Sequence, residues 1–561
     1  MGQKILAADV AVVGSGPAGL CAAIEAAKAG ARVVLLDENN KPGGQLFKQI
    51  HKFFGSTAHW AGVRGFDIGS QLISEAKEAG VEVWLNTTVW GIFEDKSLGI
   101  IRADNIQPLR AKKIILATGA AEKVVSFPGW TLPGIMGAGA AQTTINIHRV
   151  LPGRRILMVG SGNVGLIVSN QLLQAGAEVV AVVEIAPWIG GYQVHASNIR
   201  RAGVPILTSH TVKEALGEDQ VETVTVTKVD QEWNLIPNTE KTFCVDTVCM
   251  AVGLRPLAEM AWRAGCRFMY LPELGGYTPI HDQNMESGVS GIYVAGDIAG
   301  VEEASIAIEE GRLAGISATE ALGYLSMHDA EQMREKIRMR IKDLRLGPFG
   351  EGGRKSKQQI IKESGKIRNK KISSTGVPYI HELKNNPGLP MEERFKSTGV
   401  PYIYELKNTP GFPTEERFRK GAVAVIECVE EIPCDPCQYA CPHGAIKVER
   451  SITSLPILLE ERCNGCGQCI PLCPAMAIFV VDKTFSDKES LVEFPYERLP
   501  LPKAGSLVNA VNREGRIVTK GRVKKVRNPK KYNRTAVVSI AVPKGFEQQV
   551  RGIAAKGNKH E

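Results

Sequence analysis

The 561-residue sequence contains no run of about 18 apolar residues, which is the length that a membrane-spanning helix requires. The apolar segment near the N-terminus, 10–13, ends at once in a glycine turn, so the sequence predicts neither a cleavable signal peptide nor a membrane span. We therefore expect a cytoplasmic protein. With 44% hydrophobic and 23% charged residues, the composition is that of a globular protein, and the length predicts roughly three to five domains.

Four cysteines are scattered through the first half of the chain, and no C-x2-C or C-x4-C pair lies near either glycine loop. This absence argues against thiol–disulfide chemistry of the glutathione-reductase and thioredoxin-reductase kind. We interpret the four as small core residues: Cys21, Cys244, Cys249 and Cys266. The other eight cysteines crowd between positions 428 and 473, which argues against a disulfide scaffold and for a metal-binding module in a reducing compartment.

The net charge of +9 is concentrated in two segments. Residues 326–371 carry fourteen Lys and Arg against six Asp and Glu, and residues 501–561 carry fifteen against three, so the rest of the chain is acidic. Within the second segment, 516–526 and 535–542 alternate apolar and polar residues and predict strands. Only Tyr532 lies near the lysine pairs as an aromatic platform. We therefore expect no nucleic-acid partner, and we interpret the basic surface as a docking face for an acidic redox partner or a companion subunit.

The order of local patterns along the chain suggests how it is organised. Residues 5–325 alternate β-branched runs with amphipathic Ala- and Leu-rich stretches, the pattern of βαβ units and parallel sheets. Residues 326–371 predict an exposed helix followed by a polar connector. Segment 374–396 then recurs at 397–419 with 18 of 23 positions identical. Two copies are too few for a solenoid, so we interpret the repeat as a duplicated linker.

The first glycine loop, Gly14-Ser-Gly16-Pro-Ala-Gly19, follows a strand-like run and precedes a helix and a second strand. The first glycine permits the tight turn, the second lets the backbone approach a pyrophosphate, and the third lets the helix pack closely on the strand. Asp37 ends the second strand and can accept hydrogen bonds from a ribose 2′-OH. The predicted cofactor-binding residues here are Gly14, Ser15, Gly16, Pro17, Ala18, Gly19, Asp37 and Glu38.

A second loop in mid-chain, Gly160-Ser-Gly162-Asn-Val-Gly165, repeats this arrangement and leads to a strand that ends in Glu184. A carboxylate at this place accepts from a 2′-OH and repels a 2′-phosphate, so the sequence favours NAD over NADP, although Arg200 and Arg201 could soften the preference. The alternative is a domain that keeps the fold and binds no nicotinamide. The predicted cofactor-binding residues are Gly160, Gly162, Asn163, Val164, Gly165 and Glu184.

The cysteine-rich segment contains the C-x2-C-x2-C-x3-C-P run typical of bacterial ferredoxins, starting at Cys463. A second run starts at Cys428, with a longer first gap and the same Cys-Pro ending. Under the crossed rule of two-cluster ferredoxins, one [4Fe-4S] cluster would take Cys428, Cys434, Cys437 and Cys473, and the other Cys463, Cys466, Cys469 and Cys441. Zinc, which thiolates also bind, is the alternative that the Cys-Pro endings and paired sets disfavour.

Three further segments carry a resemblance: Pro42-Gly43-Gly44-Gln45, a strand ending at Thr118-Gly119, and another ending at Gly296-Asp297. Together with the two loops, they resemble the two-dinucleotide-binding-domain flavoproteins of the glutathione-reductase type, over about residues 1–325. The resemblance implies FAD at the first loop and a nicotinamide nucleotide in an inserted domain. It also implies that Asp297 meets the FAD ribityl and pyrophosphate and that Gly44 and Gln45 lie near the isoalloxazine.

The predicted fold class is therefore α/β, with two Rossmann-like domains, an α+β two-cluster ferredoxin-like domain and a basic β-rich tail. The expected parts are an FAD domain in two pieces (1–125 and 266–325), an inserted NAD(P) domain (126–265), a connector with the tandem repeat (326–420), the ferredoxin-like domain (421–482) and the C-terminal extension (483–561).

Within that superfamily, the stretch 134–142 and the segment 251–256 resemble the α-type subunits of amine and imino-acid dehydrogenases: sarcosine oxidase, opine oxidase, hydrogen cyanide synthase and dye-linked proline dehydrogenase. This resemblance implies an electron-transfer subunit of a hetero-oligomer that acts on proline-like, hydroxyproline or sarcosine-like substrates in an anaerobic setting. The implied partners are a substrate-oxidising flavoprotein subunit, a carrier such as ferredoxin and a small iron–sulfur subunit. The alternatives are a self-sufficient NAD(P)H:acceptor or ferredoxin oxidoreductase, and an electron feeder like the glutamate synthase small subunit.

The sequence names no catalytic acid or base. His51, His59 and His148 have no partner that the sequence can identify, and we interpret them as structural.

Overall fold

The computed structural model describes residues 6–368, 380–381 and 403–554. The chain divides into two compact units, each built from separate stretches of sequence. The first unit draws on 1–50, 63–122 and 253–387, and the second on 51–62, 123–252 and 388–561. Apart from the strand Ile380–His381, the first copy of the tandem repeat lies outside the described residues. Among the described helices, none has the length and apolarity needed to cross a membrane.

A seven-stranded sheet forms the centre of the first unit. Strand Leu6–Val13 pairs in parallel with Val33–Leu36 on one side and with Asn105–Leu116 on the other. Strand Ile292–Val294 also pairs in parallel with the end of Asn105–Leu116, so segments that are distant in sequence end at one edge. The remaining strands of this sheet are Glu82–Trp84, Thr87–Ile92 and Ser97–Arg102.

Helices and short strands complete the first unit. Helix Pro17–Lys28 starts directly after the glycine loop, and its apolar residues are buried almost without exception because it lies between the sheet and helix Ala304–Glu320. The other helices and strands of the unit are Gly65–Glu78, Ala120–Glu122, Leu254–Pro256, Glu259–Arg263, Phe268–Leu271, Gly276–Pro279, Met327–Leu344 and Gly347–Arg368.

The basic segment after residue 325 is two helices, where the sequence predicted one exposed helix and a polar connector. Met327–Leu344 is capped by the Ser326 hydroxyl, which accepts from the Asp329 backbone N–H at 3.1 Å, and Gly347–Arg368 follows. Arg334 and Lys357 are buried in them because each meets a carboxylate: Arg334 contacts Glu320 at 3.2 Å and Lys357 contacts Glu310 at 2.7 Å. In the sequence, a run of charges that form ion pairs inside the protein cannot be told from a run of charges exposed to solvent.

The second unit contains a five-stranded parallel sheet that carries the second glycine loop. Its strands, in spatial order, are Ile206–Leu207, Glu178–Val183, Arg155–Val159, Thr247–Met250 and Ile135–Gly137. Helices Ala138–Asn146, Asn163–Ala175 and Gln193–Arg201 belong with this sheet, and His210–Leu216, Thr223–Lys228 and Lys241–Cys244 form a separate antiparallel sheet.

The inserted domain ends earlier than the sequence predicted. The expected boundary lay after residue 265, but the chain returns to the first unit at Gly253. The reason is a two-stranded antiparallel connection, in which Leu254–Pro256 pairs with Ala120–Glu122. Segment 51–62 is a second departure, since it groups with the second unit although it lies within the first piece of the predicted FAD domain.

The cysteine-rich segment and the basic tail share one seven-stranded sheet, so the predicted boundary after residue 482 falls inside it. Its strands, in spatial order, are Val423–Ile426, Ile478–Asp482, Glu489–Tyr496, Ala536–Pro543, Ile517–Arg527, Leu507–Val511 and Gly552–Ile553. The two strands expected near 516–526 and 535–542 are among them. The short elements Ile403–Lys407, Glu415–Arg419, Pro436–Ala440, Ile446–Lys447 and Ile457–Leu458 complete this part.

Replacing Gly315 by Ala should destabilise the first unit. A Cβ at this position would lie 2.4 Å from the Ala22 carbonyl oxygen on the facing helix, so the two helices must move apart. Overpacking of this kind costs about 1–3 kcal/mol, and we expect a lower urea midpoint for the transition of the first unit. Gly365→Ala is the matched control, because no described atom outside the local helix backbone lies within 4 Å of the added Cβ and helix propensity should raise the midpoint slightly. Equal effects of the two changes would contradict the close-packing argument.

Candidate functional site

The first glycine loop has the backbone geometry that a bound pyrophosphate needs. Gly14 has φ +100°, and a Cβ there would lie 2.3 Å from the Ala117 carbonyl oxygen. A Cβ at Gly19 would lie 1.8 Å from the Gly14 carbonyl oxygen, so only glycine lets the helix approach the turn. At Gly16, by contrast, a Cβ would have no described atom within 4 Å apart from its chain neighbours, which leaves open space at the N-terminus of helix Pro17–Lys28. That space and the free N–H groups fit a phosphate.

Asp37 lies at the end of strand Val33–Leu36, as predicted, and its carboxylate is tied to the loop. One oxygen accepts from the Ser15 backbone N–H at 2.7 Å and also from the Ser15 hydroxyl. The other accepts from the Asn39 backbone N–H at 2.9 Å and side-chain amide at 2.8 Å. The acid therefore orders the glycine loop, while the neighbouring Glu38 is exposed.

The Gly43-Gly44 turn lies against this loop. The Gly43 N–H donates to the Ser15 carbonyl at 2.8 Å, and a Cβ at Gly44 would lie 2.8 Å from the Gly16 Cα. Both glycines have positive φ, so a larger residue at either position would be strained as well as crowded. Gln45, which follows, is exposed beside the loop.

Asp297 follows strand Ile292–Val294 and lies on the same edge of the sheet. A Cβ at Gly296 would lie 2.8 Å from the Ala18 side chain, which places this turn directly beside the first helix. Burial raises the pKa of Asp297 to about 7, and the nearby carboxylates of Glu310 and Glu302 act in the same direction. Near neutral pH the group is therefore partly protonated and can donate a hydrogen bond as well as accept one.

Thr118 and Gly119 close the edge of strand Asn105–Leu116. The Thr118 hydroxyl donates to the Leu257 carbonyl at 2.6 Å, and Gly119 has φ +77°. The loop, Asp37, the Gly43-Gly44 turn, Thr118-Gly119 and Asp297 thus come together at the carboxyl ends of parallel strands, where ligands bind in open α/β sheets.

A buried ion-pair cluster beside this edge was missed by sequence reasoning. Arg345 donates to Glu302 and to Glu310, in each case at 2.8 Å. Lys357 donates to Glu310 at 2.7 Å and to the Ala299 carbonyl at 2.8 Å. These partners are separated by some 35 to 58 positions, and no spacing rule links them. The cluster ties the two basic helices to the turn that holds Asp297.

The second glycine loop repeats the first in detail. Gly160 has φ +102° and its Cβ would lie 2.3 Å from the Ala251 carbonyl oxygen, while a Cβ at Gly165 would lie 2.1 Å from the Gly160 carbonyl oxygen. Gly162 has no atom within 4 Å of a Cβ. Glu184 accepts from the Ser161 backbone N–H at 2.9 Å and from the Ser161 hydroxyl at 2.7 Å. The same acid-to-serine tie therefore orders both loops.

A second Gly-Gly turn, which sequence reasoning did not identify, supports this loop. The Gly191 N–H donates to the Ser161 carbonyl at 2.9 Å, and the Gly190 N–H donates to the Ser161 hydroxyl at 3.1 Å. Asn163 accepts from the Tyr192 N–H at 2.8 Å, and Val164 is exposed. A sequence signal was available, because a Gly-Gly pair begins six positions after the terminal acid in both units.

The eight clustered cysteines separate into two groups in space. The pKa of Cys434 is raised by burial and then by its neighbours Cys473, Cys437 and Cys428. The pKa of Cys469 is likewise raised by burial and then by Cys463, Cys441 and Cys466. We call the groups the first and second cysteine sets: Cys428, Cys434, Cys437 and Cys473; and Cys463, Cys466, Cys469 and Cys441.

Two features of the cysteine sets bear on what they could hold. Backbone N–H groups point at thiol sulfurs of the second set: that of Ala424 lies 3.4 Å from the Cys463 Sγ and that of Ala445 lies 3.2 Å from the Cys441 Sγ. Such N–H donors suit thiolates that ligate an iron–sulfur cluster. In the described ranges, no group of three or more His, Cys, Asp or Glu is arranged to hold a metal ion.

Segment 51–62 packs on the first cysteine set, a contact that the sequence offered no reason to expect. Gly55 forms a bridge with Cys434, and the Asp435 N–H donates to the Gly55 carbonyl at 3.1 Å. The buried Lys52 ammonium donates to the Pro471 carbonyl and to the Thr535 hydroxyl, the latter at 2.9 Å. Burial raises the pKa of Cys473, and the positive charge of Lys52 opposes this rise.

The histidines have structural surroundings. His59 hydrogen-bonds the Ser56 hydroxyl at 2.9 Å within a turn, His51 stacks on Phe53, and His148 is exposed. These positions agree with the interpretation of the three histidines as structural. A fourth histidine, His195, is buried edge-on against Phe54, and burial lowers its pKa to about 3.

Among the described residues, the four cysteines outside the module form no disulfide. Cys21, Cys249 and Cys266 are buried, as expected, and burial raises the pKa of Cys21 to about 12. The prediction of a core position for Cys244 is wrong, because this residue is exposed at the end of strand Lys241–Cys244.

Comparison with known proteins identifies the parts. Residues 8–311 match the family model Pyridine nucleotide-disulphide oxidoreductase, and residues 428–484 match the LdpA Fe-S cluster-binding domain. An opine oxidase subunit of Agrobacterium tumefaciens (strain Ach5) is 29% identical over 57% of this chain and 66% of its own length. The hydrogen cyanide synthase subunit HcnB of Pseudomonas aeruginosa is 27% identical over 60% of this chain and 75% of its own. The alpha subunit of sarcosine oxidase of Rhizobium meliloti (strain 1021) is 27% identical over 56% of this chain and 31% of its own length.

The chain thus spans about two thirds of the first of these relatives, and less than a third of the last. The matches confirm the predicted resemblance and the predicted fold class, in which a Rossmann-type flavoprotein region is joined to an iron–sulfur-binding domain. Since the family match covers more than half of the 561 residues, this chain belongs to the pyridine nucleotide-disulphide oxidoreductase family and is an FAD-dependent oxidoreductase.

Proposed function

We propose that this chain is the electron-transfer subunit of an amino- or imino-acid dehydrogenase complex, with FAD at the first loop, NAD at the second and a [4Fe-4S] cluster on each cysteine set. The observation that carries the proposal is the composition of the second unit, where a dinucleotide loop and two four-cysteine sets occur together. In such an assembly, the flavin supplies the conversion between two-electron hydride chemistry and the one-electron chemistry of iron–sulfur clusters.

The residues of the chain bind and orient these groups. At the first loop, Gly16 and the helix N-terminus would hold the pyrophosphate, and Asp297 would hold the ribityl chain. At the second loop, Gly162 would play the part of Gly16, and Glu184 would accept from the ribose 2′-OH. Ser15 and Ser161 keep the two acids in place before any nucleotide binds.

The substrate class and the partners follow from the relatives, whose names describe subunits of opine oxidase, hydrogen cyanide synthase and sarcosine oxidase. We infer a proline-like, hydroxyproline or sarcosine-like substrate and a cytoplasmic hetero-oligomer, with a separate flavoprotein subunit that oxidises the substrate. A carrier such as ferredoxin and a small iron–sulfur subunit are the other inferred partners.

The full-length chain, purified alone and reconstituted with FAD, iron and sulfide, should reduce an artificial dye with NADH. It should not oxidise proline or sarcosine, because the substrate pocket belongs to another subunit. The natively purified complex, assayed for the same substrates and for its subunit composition, should oxidise one of them. Amine or imino-acid turnover by the chain alone would refute the proposal. Native purification without a second flavoprotein would favour the NAD(P)H:acceptor oxidoreductase instead.

Alanine variants test the crossed assignment of the cysteines. Cys437→Ala and Cys473→Ala should alter the same signal in the EPR spectrum of the reduced protein, and each should lower bound iron by up to about half, since each damages one of two clusters. Cys441→Ala should alter the other signal, together with Cys466→Ala. Cys244→Ala, at an exposed thiol outside both sets, is the control and should leave iron content unchanged. If Cys473→Ala and Cys466→Ala instead altered the same signal, the crossed assignment of cysteines to clusters would be wrong.

Glu184 tests the nucleotide preference. The unmodified chain should bind NADH more tightly than NADPH, because the carboxylate accepts from a 2′-OH and repels a 2′-phosphate. Glu184→Ser should lower the ratio of NADH affinity to NADPH affinity about tenfold, the value of one or two hydrogen bonds to a charged group, because loss of the Ser161 bonds affects both nucleotides and cancels in the ratio. Dissociation constants from fluorescence titration measure both. Glu178→Ser removes a surface carboxylate on the same strand and should change neither; tighter NADPH binding by the unmodified chain would contradict the assignment.

A further inference from the structure

A cleft in the second unit contains arginines that neither the dinucleotide loops nor the cysteine sets require. It is open to solvent, contains about 460 Å³ of empty space with that open part included, and lies between helices Asn163–Ala175 and Gln193–Arg201 and the end of strand Glu489–Tyr496. Asn170 is the first residue of helix Asn163–Ala175 that lines the cleft. It lies about two helical turns beyond Gly162, which is about 12 Å from the predicted pyrophosphate position. Polar side chains line it: Asn170, Gln174, Asn198, Arg201, Glu497, Arg498 and Arg551.

Two of these arginines have partners and a fixed geometry. The Arg201 guanidinium lies 5.3 Å from the centre of the Phe479 ring, and that of Arg551 lies 5.1 Å from it. Arg201 also donates to the Met476 carbonyl at 3.1 Å. Arg551 donates to Glu427, a buried carboxylate that Arg513 shares at 3.0 Å. One carboxylate therefore serves two arginines, and positive charge remains in excess.

Arg498 is different, because within the described residues its guanidinium makes no hydrogen bond and no ion pair. It is only partly exposed at the cleft, and burial lowers its pKa. The pKa of Arg201 is lowered to about 10 by burial, with Arg498, Arg551 and Arg513 adding repulsion. A half-buried guanidinium without an acceptor is costly, and such groups are normally satisfied by a partner.

The charges around the cleft define the ligand that would satisfy it. Four arginines face two carboxylates, Glu427 and Glu497, so the surroundings carry a formal charge of +2. Glu497 accepts from the Gln174 amide at 2.9 Å and from the Thr535 hydroxyl. Its negative charge opposes a phosphate dianion more strongly than a single carboxylate. Phe494, Met476 and Ile553 supply apolar walls, which suit an organic body.

We propose that this cleft binds a small organic carboxylate of amino-acid size, with the carboxylate on Arg498. The planar fork of a guanidinium matches the two oxygens of a carboxylate. Arg201 and Arg551 add positive charge from the Phe479 side, and the Asn170 amide is available to a polar group on the ligand. None of the residues that line the cleft belongs to the predicted dinucleotide-binding residues.

Isothermal titration of the cofactor-loaded, full-length chain tests the site with three probes: L-proline, succinate and inorganic phosphate. We expect saturable binding of L-proline or succinate at one site per chain, and weaker or no binding of phosphate. L-proline alone would identify an amino acid as the ligand class, and succinate alone would identify a dicarboxylate. Phosphate as the tightest probe, or no saturable binding of any carboxylate, would overturn the proposal.

Arg498→Gln should weaken binding of the carboxylate probe about tenfold or more, which is the effect of losing a charged hydrogen bond. NADH affinity and iron content should stay unchanged, which separates this outcome from a failure of the proposed function. Arg516→Gln, at a surface arginine, is the control and should bind the probe normally. If Arg498→Gln does not fold, Asn170→Ala is titrated in its place. A variant that folds and binds as tightly as the unmodified chain would refute the assignment.

Discussion

The constraint on which most of this structure depends is the contact between a helix and the backbone of the turn before it. A Cβ at Gly19 would lie 1.8 Å from the Gly14 carbonyl oxygen, and one at Gly165 would lie 2.1 Å from that of Gly160. With glycine at these positions, each helix starts against its strand, and its N-terminal N–H groups face open space at Gly16 and Gly162. The open space at each proposed cofactor site depends on the absence of a side chain at these contacts.

Each loop is then held by an acid and a serine. Asp37 and Glu184 come from the end of the neighbouring strand and accept two hydrogen bonds from Ser15 and Ser161, respectively. Hydrogen bonds to a charged acceptor contribute about 1.5–3 kcal/mol each, enough to select one loop conformation. A Gly-Gly turn six positions after each acid adds a backbone hydrogen bond to the same serine. The nucleotide sites are therefore ordered by the protein before a ligand is present.

Local signals explain what could be predicted. The glycine loops, their acids and the strand ends at Gly119 and Asp297 follow from residues close in sequence, and the predicted cysteine sets follow from the crossed rule of two-cluster ferredoxins. Contacts between distant segments leave no such signal. Lys52 reaches Pro471 and Thr535, and Lys357 reaches Glu310 and Ala299, through bonds that no periodicity marks. For the same reason, the predicted boundary after residue 482 runs through a single sheet, and the prediction of a core position for Cys244 is wrong.

Charge is the least reliable guide, since burial decides what a charged residue does. Arg513 and Arg551 belong to the basic tail, yet both are buried against Glu427, so they contribute nothing to a docking face. Part of the exposed basic charge lies on a strand, since Lys520, Arg522 and Lys524 occupy alternate positions of Ile517–Arg527 and are exposed. Tyr532 is buried and offers no stacking surface. A row of cations spaced by a strand suits an acidic protein surface better than a flexible polyanion, which favours a protein as the partner of this face.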